Sequence, residues 1–269
     1  MTLTFALQPA AQSSSDQSPP RGNRLITIPE MQLPGVAGVT IRIRRHWPWQ
    51  FTADCVARCR DLGKQYTLLV IGGDVSAPYH PDHILSRQRI ASKLSAAFGE
   101  DPLLWGVHAS LPPTGHSEEL FGKPMHPSVI EKNQKFIKFH ADEFPDRVNI
   151  LTAGSGNDPG AMRQIIRYGI AVAPGRFLYK NNAMSAKSPI DWISNQLVVE
   201  AMKAGARGGF EMLCGSNEAR FRDRNDRTPA AKLYAKAMAT VAEIERLAGK
   251  QIDYLAPYKY DLKGLGRLP

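Results

Sequence analysis

The feature that most constrains this chain is an alternation. Short runs of apolar and β-branched residues recur along it, separated by longer stretches with helical spacing. That pattern belongs to βαβ units, because a parallel strand can follow another only through a long crossover. About eight such runs can be read, the number that closes a barrel. They begin with RLITIP at Arg24, GVTIRIR at Gly38, YTLLVIGG at Tyr66 and LLWGVHAS at Leu103. RVNILTAG at Arg147, RFLYKNN at Arg176, GGFEMLC at Gly208 and IDYLAPY at Ile252 complete the set. Between them, Phe51 to Leu62, Ile84 to Phe98, Pro127 to Phe144, Trp192 to Ala204 and Ala230 to Leu247 carry helical spacing. The last of these opens on Thr228 and Pro229, a cap followed by a first-turn proline, and closes at Gly249. An open doubly wound sheet would show the same alternation, but the number of units favours an α/β fold of the (β/α)8 TIM-barrel type.

Length agrees: 269 residues with 43% hydrophobic content suit one barrel better than two small domains. The expected organisation is a flexible leader over residues 1–23 and a single barrel domain over 24–269. The opening MTLTFALQPAAQ is mildly apolar without a basic start, and SSSDQSPPRGN reads as a polar linker. A net charge of +9 and a pI near 9.5 would draw acidic partners, but the cations are scattered. A solvated basic surface is therefore expected in preference to nucleic-acid binding. Of the three cysteines, Cys55 and Cys59 lie one helical turn apart, which implies no disulfide framework. No apolar run approaches the roughly 20 residues that span a bilayer, so a soluble domain is expected, its compartment left open. Neither a cofactor nor a metal is expected, since His80, His83, His116 and His126 form no ligand spacing.

In such a barrel the chemistry sits at the carboxyl ends of the strands and in the loops that follow. Glu211 is the most informative residue, because an ionised carboxylate inside the apolar strand GGFEMLC is costly unless paired or functional. An ion pair with Arg42 or Arg44 is its structural alternative. The loop LPPTGHSEELF presents Glu118 and Glu119 near the same end, with helix capping behind Ser117 as the competing role. Two carboxylates from separate strands suit glycosidic cleavage, one protonating the leaving oxygen and the other attacking or stabilising the anomeric centre. Arg42, Arg44, Asp74, His108, Tyr179, Asn181 and Asn182 are candidate sugar-binding groups, and Trp105 a candidate stacking platform.

LPGVAGVTIRIRRHWPW and DLGKQYTLLVIGGDVSAP, together with RFLYKNNAMS, GARGGFEMLC and IDYLAPYKYDL, resemble the strand regions of clan A glycoside hydrolases of the cellulase and β-galactosidase kind. The resemblance covers the chain after about Leu33 and implies retaining hydrolysis of a carbohydrate. It makes Glu211 the seventh-strand nucleophile and puts the acid/base after strand four, with Glu119 preferred over Glu118. The clan usually carries Asn-Glu at the end of strand four, whereas this chain reads His108-Ala109-Ser110.

Other readings compete. GSGNDPG, from Gly154 to Gly160, could cradle a phosphate, but it lacks both P-loop and Rossmann spacing and suits an ordinary strand-to-helix turn. A non-catalytic carbohydrate-binding or structural barrel is the second alternative. An esterase would need a G-x-S-x-G elbow around Ser117 or Ser155, and none occurs.

Overall fold

The computed structural model describes residues 3–7, 36–44, 49–71, 81–109, 124–153, 158–183, 189–214 and 230–259. Its strands are β1 (Leu3–Leu7), β2 (Val36–Arg44), β3 (Gln65–Ile71), β4 (Leu104–His108), β5 (Val148–Ala153), β6 (Phe177–Ala183), β7 (Arg207–Cys214) and β8 (Tyr254–Lys259). All pair in parallel and in chain order, and β8 returns to β1, so the sheet is a closed barrel. The described helices are α1 (Trp49–Asp61), α2 (Pro81–Phe98), α3 (Pro127–Glu143), α4 (Pro159–Val172), α5 (Pro189–Lys203) and α6 (Ala230–Ala248). The chain is thus a (β/α)8 barrel, and seven of the expected strands fall where the alternation puts them.

The first strand is the exception. RLITIP lies outside the described residues, and the strand beside β2 is LTFAL, inside the segment expected to be a leader. Its backbone pairs Thr4 with Gly38 through Leu7 with Ile41, and Leu3 with Leu255. An apolar pentapeptide with strand propensity fills the gap between β2 and β8, two strands that would otherwise be left as open edges.

Local chemistry explains the helix boundaries. Asp158 accepts a hydrogen bond from the Ala161 N–H at 2.9 Å and precedes Pro159, the cap and first-turn proline of α4. The same carboxylate accepts from the Met125 N–H at 2.7 Å, tying the start of α3 to that of α4. A carboxylate thus occupies the helix terminus that a phosphate would need, so this part of GSGNDPG acts as a structural turn; Gly154 to Asn157 lie outside the described residues. On α3 the buried residues Asn133, Phe136, Ile137, His140 and Ala141 trace one helical face. At Gly169 of α4 a Cβ would run into the Phe177 ring, so glycine is what lets this helix lie close against β6.

Two apolar layers lie between sheet and helices. One gathers Ile41, Ile43, Val56, Cys59, Tyr66, Leu68 and Leu94 under α1 and α2, and the other Ile137, Leu151, Ile165, Tyr179, Val198 and Phe210 under α3 to α6. Cys55 and Cys59 are buried free thiols there, and burial pushes each up to about 12, which leaves them unreactive. A third, smaller cluster of Val148, Ile150, Leu178 and Tyr254, with Trp105 against it, fills the barrel interior. Among the described residues no helix is long and apolar enough to cross a membrane.

Candidate active site

Because every strand is parallel, the carboxyl ends of β1 to β8 gather at one rim, and register decides what each presents to the interior. On β7 a Cβ at Gly208 would meet Met202 of α5, and Phe210 packs in the helix-side layer. Gly209 faces the other way: its Cβ would fall 2.6 Å from the Lys180 Cβ and 2.9 Å from the Leu178 Cδ2. Strand alternation therefore puts Glu211 at the interior register of β7, level with Asn182 on β6 and Ala256 on β8. One interior position nearer the amino end, Lys180, Gly209 and Tyr254 form the preceding row.

Beside the apolar cluster of Val148, Ile150, Leu178 and Tyr254, the described interior carries linked polar groups. Thr40 Oγ1 lies 2.9 Å from Thr67 Oγ1 and 2.9 Å from the Tyr254 hydroxyl, and Thr67 Oγ1 lies 3.3 Å from His108 Nε2. The His108 ring meets the Tyr254 ring edge-on at 6.0 Å. Lys180 is only 1% exposed, and its ammonium stands 5.5 Å from the Tyr254 ring centroid. The chain β2, β3, β4, β8, β6 is thus joined through side chains inside the barrel.

Of the residues expected to bind ligand, His108 is interior and buried at the last position of β4. Arg42 continues the interior series begun by Thr40 on β2, level with Leu69, and Arg44 follows it level with Ile71. Asn182 shares the Glu211 row. Three expected residues lie elsewhere. Tyr179 is buried in the helix-side layer, where burial raises its hydroxyl well above the usual tyrosine range. Asn181 also faces the helices, its Nδ2 donating to Asn195 Oδ1 of α5 at 2.8 Å. The physical reason is parity: neighbours of an inward Lys180 must point outward. Trp105 is interior but at the opposite end of β4. The pairing skips from Tyr66 with Leu104 to Thr67 with Gly106, so Trp105 is the extra residue of a bulge and stacks on Tyr254 at 6.0 Å, as part of the barrel floor. Asp74, Glu118 and Glu119 lie outside the described residues.

Lys180, Thr40, Thr67 and Tyr254 were not anticipated. Lys180 carried the same signal as Glu211, a charge set inside an apolar strand, and could have been found by it. Asp101, also unanticipated, sits in the turn before β4. It accepts from the Leu103 N–H at 3.0 Å, the Tyr66 hydroxyl at 2.8 Å and Arg60 Nε at 2.8 Å. Burial opposes its charge, but these three donors prevail and hold the carboxyl below the usual range. It lies at the amino-terminal face, where conserving stability rather than chemistry is the usual use of a barrel. Among the described residues no three His, Cys, Asp or Glu side chains come together as a metal set.

Fold and register define a class: a (β/α)8 barrel with titratable and amide-bearing positions at its carboxyl rim. Solved structures of the same architecture include a trimodular GH5_4-subfamily endoglucanase, with TM-score 0.66 and 11% identity over 97% of this chain. The present chain spans 56% of that protein. Cellulose synthase subunit Z of Clostridioides difficile matches with TM-score 0.57 and 10% identity, over 97% of this chain and 92% of its own. A GH5-4 broad-specificity endoglucanase from an uncultured bovine rumen ciliate gives TM-score 0.57 and 10% identity, over 96% and 86%. No protein-family model matches the sequence, and no curated protein sequence matches it. What the chain shares with these proteins is the barrel fold.

Proposed function

We propose that the barrel is a glycoside hydrolase that cleaves a glycosidic bond with retention, using Glu211 as nucleophile and Glu119 or Glu118 as acid/base. The single observation that supports this most is the register of Glu211, an interior position near the carboxyl end of the seventh strand. An anionic nucleophile belongs there, since the substrate of such a barrel enters from the rim that the strand carboxyl ends form. Arg42, Arg44, Asp74, His108 and Asn182 then surround the sugar as donors and acceptors, while the Thr40, Thr67 and Tyr254 hydroxyls form the floor. Tyr179, Asn181 and Trp105 take no part.

One observation favours a second reading, a barrel that binds carbohydrate without cleaving it. Strand β4 ends in His108 and the buried Ala109, so it offers no carboxylate where clan A enzymes carry Asn-Glu. One experiment separates the two. Wild type and Glu211→Gln are assayed on a panel of chromogenic glycosides and oligosaccharides, with melting temperature recorded alongside. Hydrolysis lost by about a thousandfold or more in Glu211→Gln, with the variant still folded, supports the hydrolase. Saturable oligosaccharide binding by wild type without any turnover supports the binding module instead.

A further inference from the structure

The interior holds a second charge that the proposed chemistry leaves unused. Lys180 is 1% exposed, and burying an ammonium is expensive unless the surroundings stabilise it. Two features of the fold seat it. Gly209 on β7 leaves vacant the space a side chain would fill, since even a Cβ there would lie 2.6 Å from the Lys180 Cβ. Across that space the ammonium, carried on β6, reaches the Tyr254 ring on β8 at 5.5 Å. Tyr254 is itself fixed by its hydroxyl, 2.9 Å from Thr40 Oγ1. The Lys180 side chain thus starts beside Gly209, and the next interior position on that same strand is Glu211. Two residues of strand advance about 6.6 Å, a span across which a buried ammonium acts on a carboxylate.

We propose that Lys180 is a positioning residue for the Glu211 carboxylate, adding its positive charge to those of Arg42 and Arg44 at the interior positions of β2 to keep that carboxylate ionised and oriented for attack. This rests on the reading of Glu211 as nucleophile, but the coupling of the two charges can be tested without it. In the chemical assay, wild type, Lys180→Met and Lys180→Arg are incubated with a panel of 2-deoxy-2-fluoroglycosyl fluorides. The carboxylate bonds to the anomeric carbon as the C–F bond breaks and fluoride departs, leaving a glycosyl ester that intact mass and peptide mapping detect. The expected result is labelling of Glu211 whose acid limb moves up by about one pH unit or more in Lys180→Met and returns towards wild type in Lys180→Arg. Coincident acid limbs in wild type and Lys180→Met would overturn the proposal.

If no reagent labels wild type, the hydrolase reading fails, and the melting temperatures of Lys180→Met, Glu211→Gln and the double variant decide the coupling alone. A double variant that melts well above the sum of the two losses supports the pairing, because removing both charges leaves neither uncompensated. Additive losses overturn it. Should Lys180→Met not fold by itself, recovery of the fold in the double variant counts for the pairing, and its absence against.

Discussion

The two faces of the barrel wall treat buried polar groups differently, and strand β6 carries the contrast within three residues. Tyr179 and Asn181 enter the layer beneath the helices, while Lys180 between them enters the barrel. On the helix side Asn181 is bonded to Asn195, but two other polar groups are isolated. Among the described residues neither the Tyr179 hydroxyl nor either ring nitrogen of His140 has a hydrogen-bond partner. His140 is instead enclosed by Phe136, Phe139 and Phe144, with ring centroids 4.6, 5.7 and 6.2 Å away. In the interior the groups are joined, hydroxyl to hydroxyl to imidazole, from β2 to β4 and β8. An isolated polar group serves as packing volume and costs its lost hydration, whereas a linked one holds its neighbours in place. The difference points to where this fold spends stability on geometry: inside, below the rim.

The contrast can be broken by experiment, starting with the largest effect. Asp101, in the turn before β4, holds three donors, so Asp101→Ala strands the buried Tyr66 hydroxyl and the Leu103 N–H at once. We expect a loss of about 3 kcal/mol in urea denaturation. A loss below about 1 kcal/mol would show that the three donors find other partners.

His140 comes next. Burial among the phenylalanines, with Arg87 adding to it, pushes its imidazole down to about 3 from an ordinary 6.5. The unfolded chain therefore takes up a proton below pH 6.5 that the folded state refuses until about pH 3. Stability is complete above that window and falls as pH drops through it, by about 1.4 kcal/mol per unit, or about 2 kcal/mol at pH 5. In His140→Phe the slope between pH 6.5 and 4 should flatten by that amount; an unchanged slope would remove His140 as its cause.

A matched pair gives the smallest effects and the most direct comparison of the two faces. Thr40→Val removes a hydroxyl that Thr67 and Tyr254 share, and should cost about 1 kcal/mol. Tyr179→Phe removes one with no described partner, and should be neutral or stabilising by under about 1 kcal/mol. Equal effects from the two would erase the distinction drawn here.

Much of the fold was legible from the chain because its units are regular. Helix spacing, a proline at the first turn of α3, α4 and α5, and capping by Asp158 are local properties that sequence states openly. LTFAL misled because it has strand composition in a segment whose polar continuation resembles a leader. The site was legible only in part. Glu211 is conspicuous as a charge in an apolar strand, and Lys180 carries the same mark. Tyr179 and Asn181 look like rim residues in the sequence because residues near a strand end are alike until their direction is known.

The sequence by itself determined the number and order of units, the parity along each strand, and the burial of charges that had to be accounted for. Only the tertiary structure decided which parity faces inward. Both faces of a parallel barrel wall are buried, so neither shows the polar-outside signature that would distinguish them. It also decided that a bulge at Trp105 would turn an extra aromatic into the floor, and that a glycine on β7 would let a lysine from β6 reach a tyrosine on β8. Those outcomes depend on strands brought together across the closed barrel, and a linear pattern of residues does not contain them.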